Sequence, residues 1–415
     1  MNQVYSELLP SITSESNLLK KVVVHTPGSE MGLVSPANRE DLLFEDILFL
    51  EKAQEEHRLM CSIFEKIIGG KDGVVQLSDL LSHALSIDDA RIEFIDALCS
   101  GDRGGSVSAF RDELGDFSPA ELQKFAMTGK SDLPIELSPL PNLMFTRDLA
   151  ATVGDHIVLA RPATAARWRE AIIMSTALRY HPDLADKPER FIQLPEGVTF
   201  EGGDLLVVND KIVMIGNSQR TSFGGIVNTA QQLLARTSIE HVILVSIPKK
   251  RSYMHLDTVL TFSSPHECVV FPPLFDSGIQ GTVVGFSSLG NGDLKASLFG
   301  NILEALQELY HRDIEFIPCG GNNPLDQQRE QWTDGSNFFA VSPGVVVGYE
   351  RNEKTFDVMS QRGYRVVSAD GFLSFYGQSN FSSGDKIAIK LEGNELSRGR
   401  GGPRCMTMPI ARTLS

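Results

Sequence analysis

A pairing that recurs five times constrains this chain more than any other feature: a short polar or glycine-rich stretch beside short runs of β-branched residues. Asn142-Leu-Met-Phe-Thr-Arg-Asp148 precedes His156-Ile-Val-Leu-Ala160, and Phe200-Glu-Gly-Gly-Asp204 leads into Leu205-Leu-Val-Val208 and Lys211-Ile-Val-Met-Ile215. His255-Leu-Asp-Thr-Val259 precedes Cys268-Val-Val-Phe271, Thr333-Asp-Gly-Ser-Asn337 precedes Gly344-Val-Val-Val-Gly348, and Arg398-Gly-Arg-Gly-Gly-Pro-Arg-Cys405 ends the series. Runs this short and this rich in Val and Ile suit strands rather than helices. Helical patterns over 164–178 and 294–311 separate some of the units. One supersecondary unit used repeatedly stacks with its copies and gathers its loops at one end, which predicts a propeller-like or barrel-like array of ββαβ-type units. An ordinary mixed α/β sheet meets the same pattern and stays open at this level.

The remaining segments are read by the same rules. Residues 21–25 form a strand candidate that runs into the turn signal Thr26-Pro-Gly28. From 40 to 69 the apolar spacing turns helical, through Leu42, Leu43, Phe44, Ile47, Leu48, Leu50, Met60, Ile63, Phe64 and Ile67. The span 72–129 continues in this style, with a cap-like Ser118-Pro-Ala-Glu121, and reads as a helical insertion within one catalytic body over 1–415.

With 42% hydrophobic and 22% charged residues, 415 residues predict a packed globular body. The net charge of −15 argues against a nucleic-acid partner, which needs clustered Lys and Arg, and suits a cationic small substrate. Residues 1–21 have no basic start followed by an apolar core, and no apolar run approaches the roughly 20 residues needed to span a bilayer. These features predict a cytoplasmic chain without a membrane partner. Cys61, Cys99, Cys268, Cys319 and Cys405 are odd in number and lack CxxC spacing, so neither a disulfide framework nor a zinc site is expected.

Chemistry concentrates in the recurring stretches. Cys405 follows Gly399, Gly401 and Gly402, with Arg400 and Arg404 beside it; cationic neighbours favour a nucleophilic thiolate, although a buried structural cysteine fits the same loop. His255 and Asp257, read at the start of a strand, point to one side by period-2 alternation. Glu201 and Asp204 flank two glycines in an apolar stretch, where buried carboxylates need cationic partners. Asp148 follows Phe145, while Arg167, Arg169 and Arg220 offer forks for a carboxylate. A thiol, an imidazole and several acids, with arginines held in reserve, suit an amino acid that carries a planar guanidinium.

These motifs resemble those of arginine deiminase and its guanidine-modifying relatives, and they stand in family order along nearly the whole chain: Phe-Thr-Arg-Asp, Phe-Glu-Gly-Gly-Asp, Met-His-Leu-Asp-Thr, Asp-Gly-x-Asn and a terminal Arg-Gly-Gly-x-x-Cys-Met. The resemblance implies a five-bladed α/β propeller (pentein-like) with the inserted helical segment. It also implies hydrolysis of L-arginine to L-citrulline and ammonia without metal or organic cofactor, by a homo-oligomer, dimer or tetramer. By the same resemblance Cys405 is the nucleophile that forms an S-alkylthiouronium, His255 the acid and base, Glu201 its orienting partner, and Asp148 and Asp257 the guanidinium clamp. Asn142, Phe145, Arg167 and Arg220 match positions around the amino-acid end, Leu43 and Arg400 positions at the entrance, and Asp204 a second carboxylate of its motif. Two departures stand out: Arg404, preceded by Pro403, where some members have histidine, and Leu149 where proline is common. A hydrolase of agmatine, methylated arginine, canavanine or peptidyl arginine, an amidinotransferase, an arginine dihydrolase and a silent arginine-binding protein share much of the pattern.

Overall fold

The computed structural model describes residues 7–275, 282–375 and 385–414. Its strands form five sheets, and each contains the same core. An inner strand pairs antiparallel with the next strand in sequence, and that strand pairs parallel with a third. Ala150–Val153, His156–Leu159 and Phe191–Ile192 make one such blade. Leu205–Val207, Ile212–Asn217 and His241–Ser246 make the next. Leu260–Ser264, Glu267–Val270 and Glu315–Pro318 follow, then Phe339–Ser342, Val345–Tyr349 and Ile387–Leu391, extended by Arg365–Ser368. The fifth blade is assembled from both ends of the chain: the last strand, Met408–Arg412, pairs antiparallel with Leu19–Val24, which pairs parallel with Val74–Gln76. A parallel step needs a crossover, and helices such as Leu50–Ile68, Trp168–Arg179 and Phe223–Arg236 supply it.

This is the α/β propeller architecture expected from the repeated units, with three local differences. The pattern over 40–69 is helical only from Leu50; residues 40–49 form turns around Leu43, whose φ of 58° lies in the left-handed region. Leu42 and Phe44 are buried on either side of it, so the apolar spacing there records a loop pressed onto the body. The span 72–129 opens on the strand Val74–Gln76, and helices follow from Leu77. Last, 294–311 is helical only over Ile302–Tyr310; Asp293–Phe299 is a strand that, with Val283–Gly290, forms an added hairpin on the second blade.

The helices Leu77–Leu85, Asp88–Gly101 and Pro119–Thr128 do not carry a core of their own. Leu81, Phe94, Leu98 and Phe125 pack in one apolar cluster with Ile157, Ile173, Met174 and Met408 from the blades. The last of these helices begins with the capping box read from Ser118 and Glu121, each side chain accepting from the other's backbone N–H. Full burial of side chains such as Phe94 and Phe125 contributes roughly 1.5 to 3 kcal/mol each and fastens these helices to the propeller.

Candidate active site

Every inner strand is entered through a tight turn or loop, and each of those five segments carries residues singled out above. Asp148 lies on the turn Thr146–Leu149, Asp204 on Gly202–Asp204, Asp257 on Leu256–Thr258, Asn337 just before Phe339–Ser342, and Cys405 before Met408–Arg412. His255 and Asp257 therefore sit on a 3-10 turn ahead of their strand, not in it, and they serve different partners. A cleft of about 350 Å³ is lined by Cys405, His255, Asp148, Asn142, Phe145, Arg167, Arg220, Leu43 and Arg400, joined by Gly399, Arg251 and Met254. Glu201, Asp257 and Asp204 stand behind this wall, all at most 1% exposed.

The imidazole is held between two carboxylates. Nε2 of His255 lies 2.8 Å from Glu201 Oε2, and Nδ1 lies 3.5 Å from Asp148 Oδ1. Burial opposes the imidazolium, but Asp148, Glu201 and Asp204 outweigh it and raise the pKa to about 9. For Glu201, burial is opposed by His255, Arg167 and Arg220, and the net effect lowers its carboxyl to about 2. The ring is thus charged at neutral pH beside an ionised acid. Gly203 makes this packing possible, because a Cβ there would lie 2.8 Å from the ring and 3.0 Å from Asp148 Oδ1.

The thiol differs from the expected thiolate. Burial, then the fields of Asp257, Asp148 and Asp334, push Cys405 well above the usual thiol range. Arg404 points away from it: two nitrogens fork onto Glu15 and the third donates to Asp257 Oδ2 at 2.7 Å, the same oxygen that lies 3.8 Å from Cys405 Sγ. Arg400 stacks on Trp332, its guanidinium carbon 3.9 Å from the ring centroid, and donates to the Trp332 carbonyl. Arg400 shares the cleft with Cys405 and its field reaches the sulfur, but burial and the carboxylates outweigh it. A glycine between the two arginines has a packing role as well: a Cβ on Gly401 would lie 2.2 Å from the Phe145 ring.

Each clamp candidate has one oxygen hydrogen-bonded to an arginine and one without a hydrogen bond, which in Asp148 also faces the His255 imidazolium. Asp148 Oδ2 accepts from Arg167 at 2.6 Å and Asp257 Oδ2 from Arg404, while Oδ1 of each is buried without a hydrogen-bond partner. Arg167 is already engaged by Asp148, Glu170 and Glu201. Arg220 is the freer fork: Nε and Nη1 are buried without hydrogen bonds, and Glu201 is 3.9 Å away. Asn142 donates to the Leu42 carbonyl and so ties the covering loop to the floor of the cleft. Asp204 takes another place than substrate contact. Its oxygens accept from Ser218 at 2.6 Å and from the Leu256 amide at 2.8 Å, which fixes the turn behind His255; burial raises its carboxyl to about 7.

Asp148, Glu201 and His255 present possible metal ligand atoms within 4.8 Å of one another. Their charges are already matched by Arg167 and by the imidazolium itself. Sequence reasoning missed Arg251 and Met254 on the wall, Glu15 and Glu170 behind it, and the role of Asn337, whose Oδ1 accepts from the Cys405 amide and whose Nδ2 donates to the Asp257 carbonyl. Only the position of Asn337 in a recurring stretch signalled it.

The fold is shared with solved structures of dimethylarginine dimethylaminohydrolase. Dimethylarginine dimethylaminohydrolase from Pseudomonas aeruginosa, a cysteine-to-serine variant in complex with citrulline, superposes with a TM-score of 0.51 at 14% identity, covering 94% of this chain and 99% of that one. A second structure of the same kind of enzyme, an adduct with S-methyl-L-thiocitrulline, gives 0.50 at 16% identity over 94% and 100%. The family model of arginine deiminase matches residues 105–412. The arginine deiminase of Limosilactobacillus reuteri is 33% identical over 425 residues, 97% of each chain, and that of Pediococcus pentosaceus 32% over 429 residues, 97% of this chain and 98% of the relative. The chain belongs to the arginine deiminase family.

Proposed function

We propose that this chain hydrolyses the guanidinium of L-arginine to give L-citrulline and ammonia through an S-alkylthiouronium on Cys405. One observation carries the reading: a single cleft presents a thiol, an imidazolium and an open aspartate oxygen together with the unpartnered donors of Arg220. The open oxygens of Asp148 and Asp257 suit the N–H groups of a planar cation, and Arg220 suits its distant carboxylate.

The charges set the order of events. Burial and then the fields of Asp257 and Asp148 hold Cys405 protonated; arrival of the guanidinium offsets those fields, so the thiol gives its proton to solvent as substrate binds. The thiolate attacks the guanidinium carbon, and the bond to the departing nitrogen breaks as His255 gives it a proton, releasing ammonia. Neutral His255 then takes a proton from water, hydroxide adds to the thiouronium carbon, and the C–S bond breaks as the new hydroxyl loses its proton to solvent, leaving citrulline and the thiolate. Glu201 holds the ring through both transfers and stabilises its charged form. Orientation by the two aspartates supplies much of the rate.

We infer a cytoplasmic chain from the absence of a leader-like start and of a long apolar run, and a dimer or tetramer from the resemblance; light scattering on the purified chain reads the assembly directly. No helix among the described residues is long and apolar enough to cross a membrane. The substrate is tested by comparing arginine with agmatine, which lacks the carboxylate. In Arg220→Ala, kcat/KM for arginine is expected to fall on the order of 100-fold with little change for agmatine. An equal fall for both, or none for arginine, removes Arg220 from this role.

A further inference from the structure

Both clamp aspartates are tied by an arginine that a glutamate holds in turn. Glu170 accepts from Arg167 Nε at 2.8 Å, and Arg167 holds Asp148. Glu15 takes a two-point fork from Arg404, at 3.1 and 3.0 Å, and Arg404 holds Asp257. The two brackets differ in access. Arg167 lines the cleft, where substrate can reach it, whereas Arg404 is 1% exposed and neither it nor Glu15 belongs to the cleft wall. The second bracket therefore acts on the reaction only through Asp257.

We propose that Glu15, from the segment ahead of the first strand, is a positioning residue: its fork on Arg404 keeps Asp257 Oδ1 free for the substrate guanidinium. Glu15 is itself fixed, its amide donating to the Val207 carbonyl and its Oε1 accepting from the Val207 amide. Arg404 is fastened a second time by the Leu205 carbonyl at 2.8 Å. A guanidinium with one anion at each end stays centred. With the anion at Glu15 removed, it turns onto both oxygens of Asp257 and competes with the substrate for the open one. Arg147 and Arg412 add positive charge around Glu15, so its loss also leaves an uncompensated cationic field behind the clamp. Both effects weaken a bound cation and leave a neutral ligand nearly untouched.

The inference rests on the arginine deiminase reading, and the test separates the two. In a Cys405→Ala background, which prevents turnover, calorimetry measures arginine and citrulline binding with and without Glu15→Gln. Arginine affinity is expected to fall about tenfold or more while citrulline affinity changes less than about threefold. Where Glu15→Gln fails to fold, Glu15→Asp keeps the charge at a shorter reach and is expected to weaken arginine selectively by a smaller factor. Equal losses for the two ligands mark Glu15 as merely structural, and unchanged arginine affinity removes it from the site; either overturns the proposal. Failure of the Cys405→Ala chain to bind arginine at all counts instead against the deiminase reading.

Discussion

At the residue scale the site combines a neutral thiol, a charged imidazole and two aspartates each bound to an arginine through one oxygen. His255 is raised to about 9, so it carries its proton below that pH and loses it above. As a general acid it should therefore give a kcat/KM that declines as pH rises through about 9, which a pH–rate profile of the wild type checks. Its environment depends on Gly203. Gly203→Ala drives a methyl into the ring and Asp148, and a displacement of that kind costs on the order of 10- to 100-fold in kcat; a thermal unfolding midpoint close to wild type distinguishes this from loss of the fold. The catalytic candidates were legible in the sequence because each sits in a polar stretch beside a strand. The direction of a side chain was not. Arg404 looked like a partner of Cys405 from its place in the chain, yet its partners are Glu15 and Asp257, far from it in sequence.

At the element scale, the covering loop over 35–49 is fastened at several points along its length. Asn142 donates to the Leu42 carbonyl, Arg251 to the Leu43 carbonyl at 2.7 Å and to Glu45 at 2.7 Å, and Arg398 to Asp46 at 2.9 Å. A left-handed Leu43 costs strain that these contacts hold in place. Arg251 also lines the cleft, so Arg251→Ala is expected to raise KM about tenfold with a smaller effect on kcat; steady-state kinetics with arginine read the split. The helical pattern in the sequence broke down here because a loop buried against the body shows the same apolar density as a helix. The second strands of four blades, the inner strand Leu205–Val207 and the crossover helix near Trp168 were readable, since propensity and packing agree there, whereas the inner strands Ala150–Val153, Leu260–Ser264, Phe339–Ser342 and Met408–Arg412 went unread. The added hairpin Asp293–Phe299 was not, because its exposed strand carries no alternation that a core imposes.

At the scale of the whole molecule, the fifth blade joins the two ends of the chain, so the nucleophile loop depends on a strand pairing of maximal sequence separation. Removing residues 408–415 is expected to abolish cooperative unfolding, measured by calorimetry, and not merely activity. Below the same blade lies His57, fully buried, its Nδ1 3.1 Å from Thr26 Oγ1; burial, then His25 and Arg58, lower it to about 3. Between about 3 and 6.5 the unfolded chain binds a proton there that the folded chain refuses, so stability falls as pH drops through that window. Glu15, lowered to about 2, adds to the loss below about 4.5. The unfolding midpoint should decline from pH 7 to 4, and less steeply in His57→Gln. The repeated units pointed to a propeller-like or barrel-like array, while the pairing of the two ends of the chain could not be read from local pattern.

Hydrolysis through Cys405 requires a covalent bond between its sulfur and the guanidinium carbon. Rapid quenching of the wild type with arginine, followed by peptide mass spectrometry, tests it. The account predicts a transient adduct on the Cys405 peptide with the mass of arginine less ammonia, and neither adduct nor citrulline from Cys405→Ala. Citrulline formed at the wild-type rate by Cys405→Ala, or an adduct on another cysteine, would contradict it.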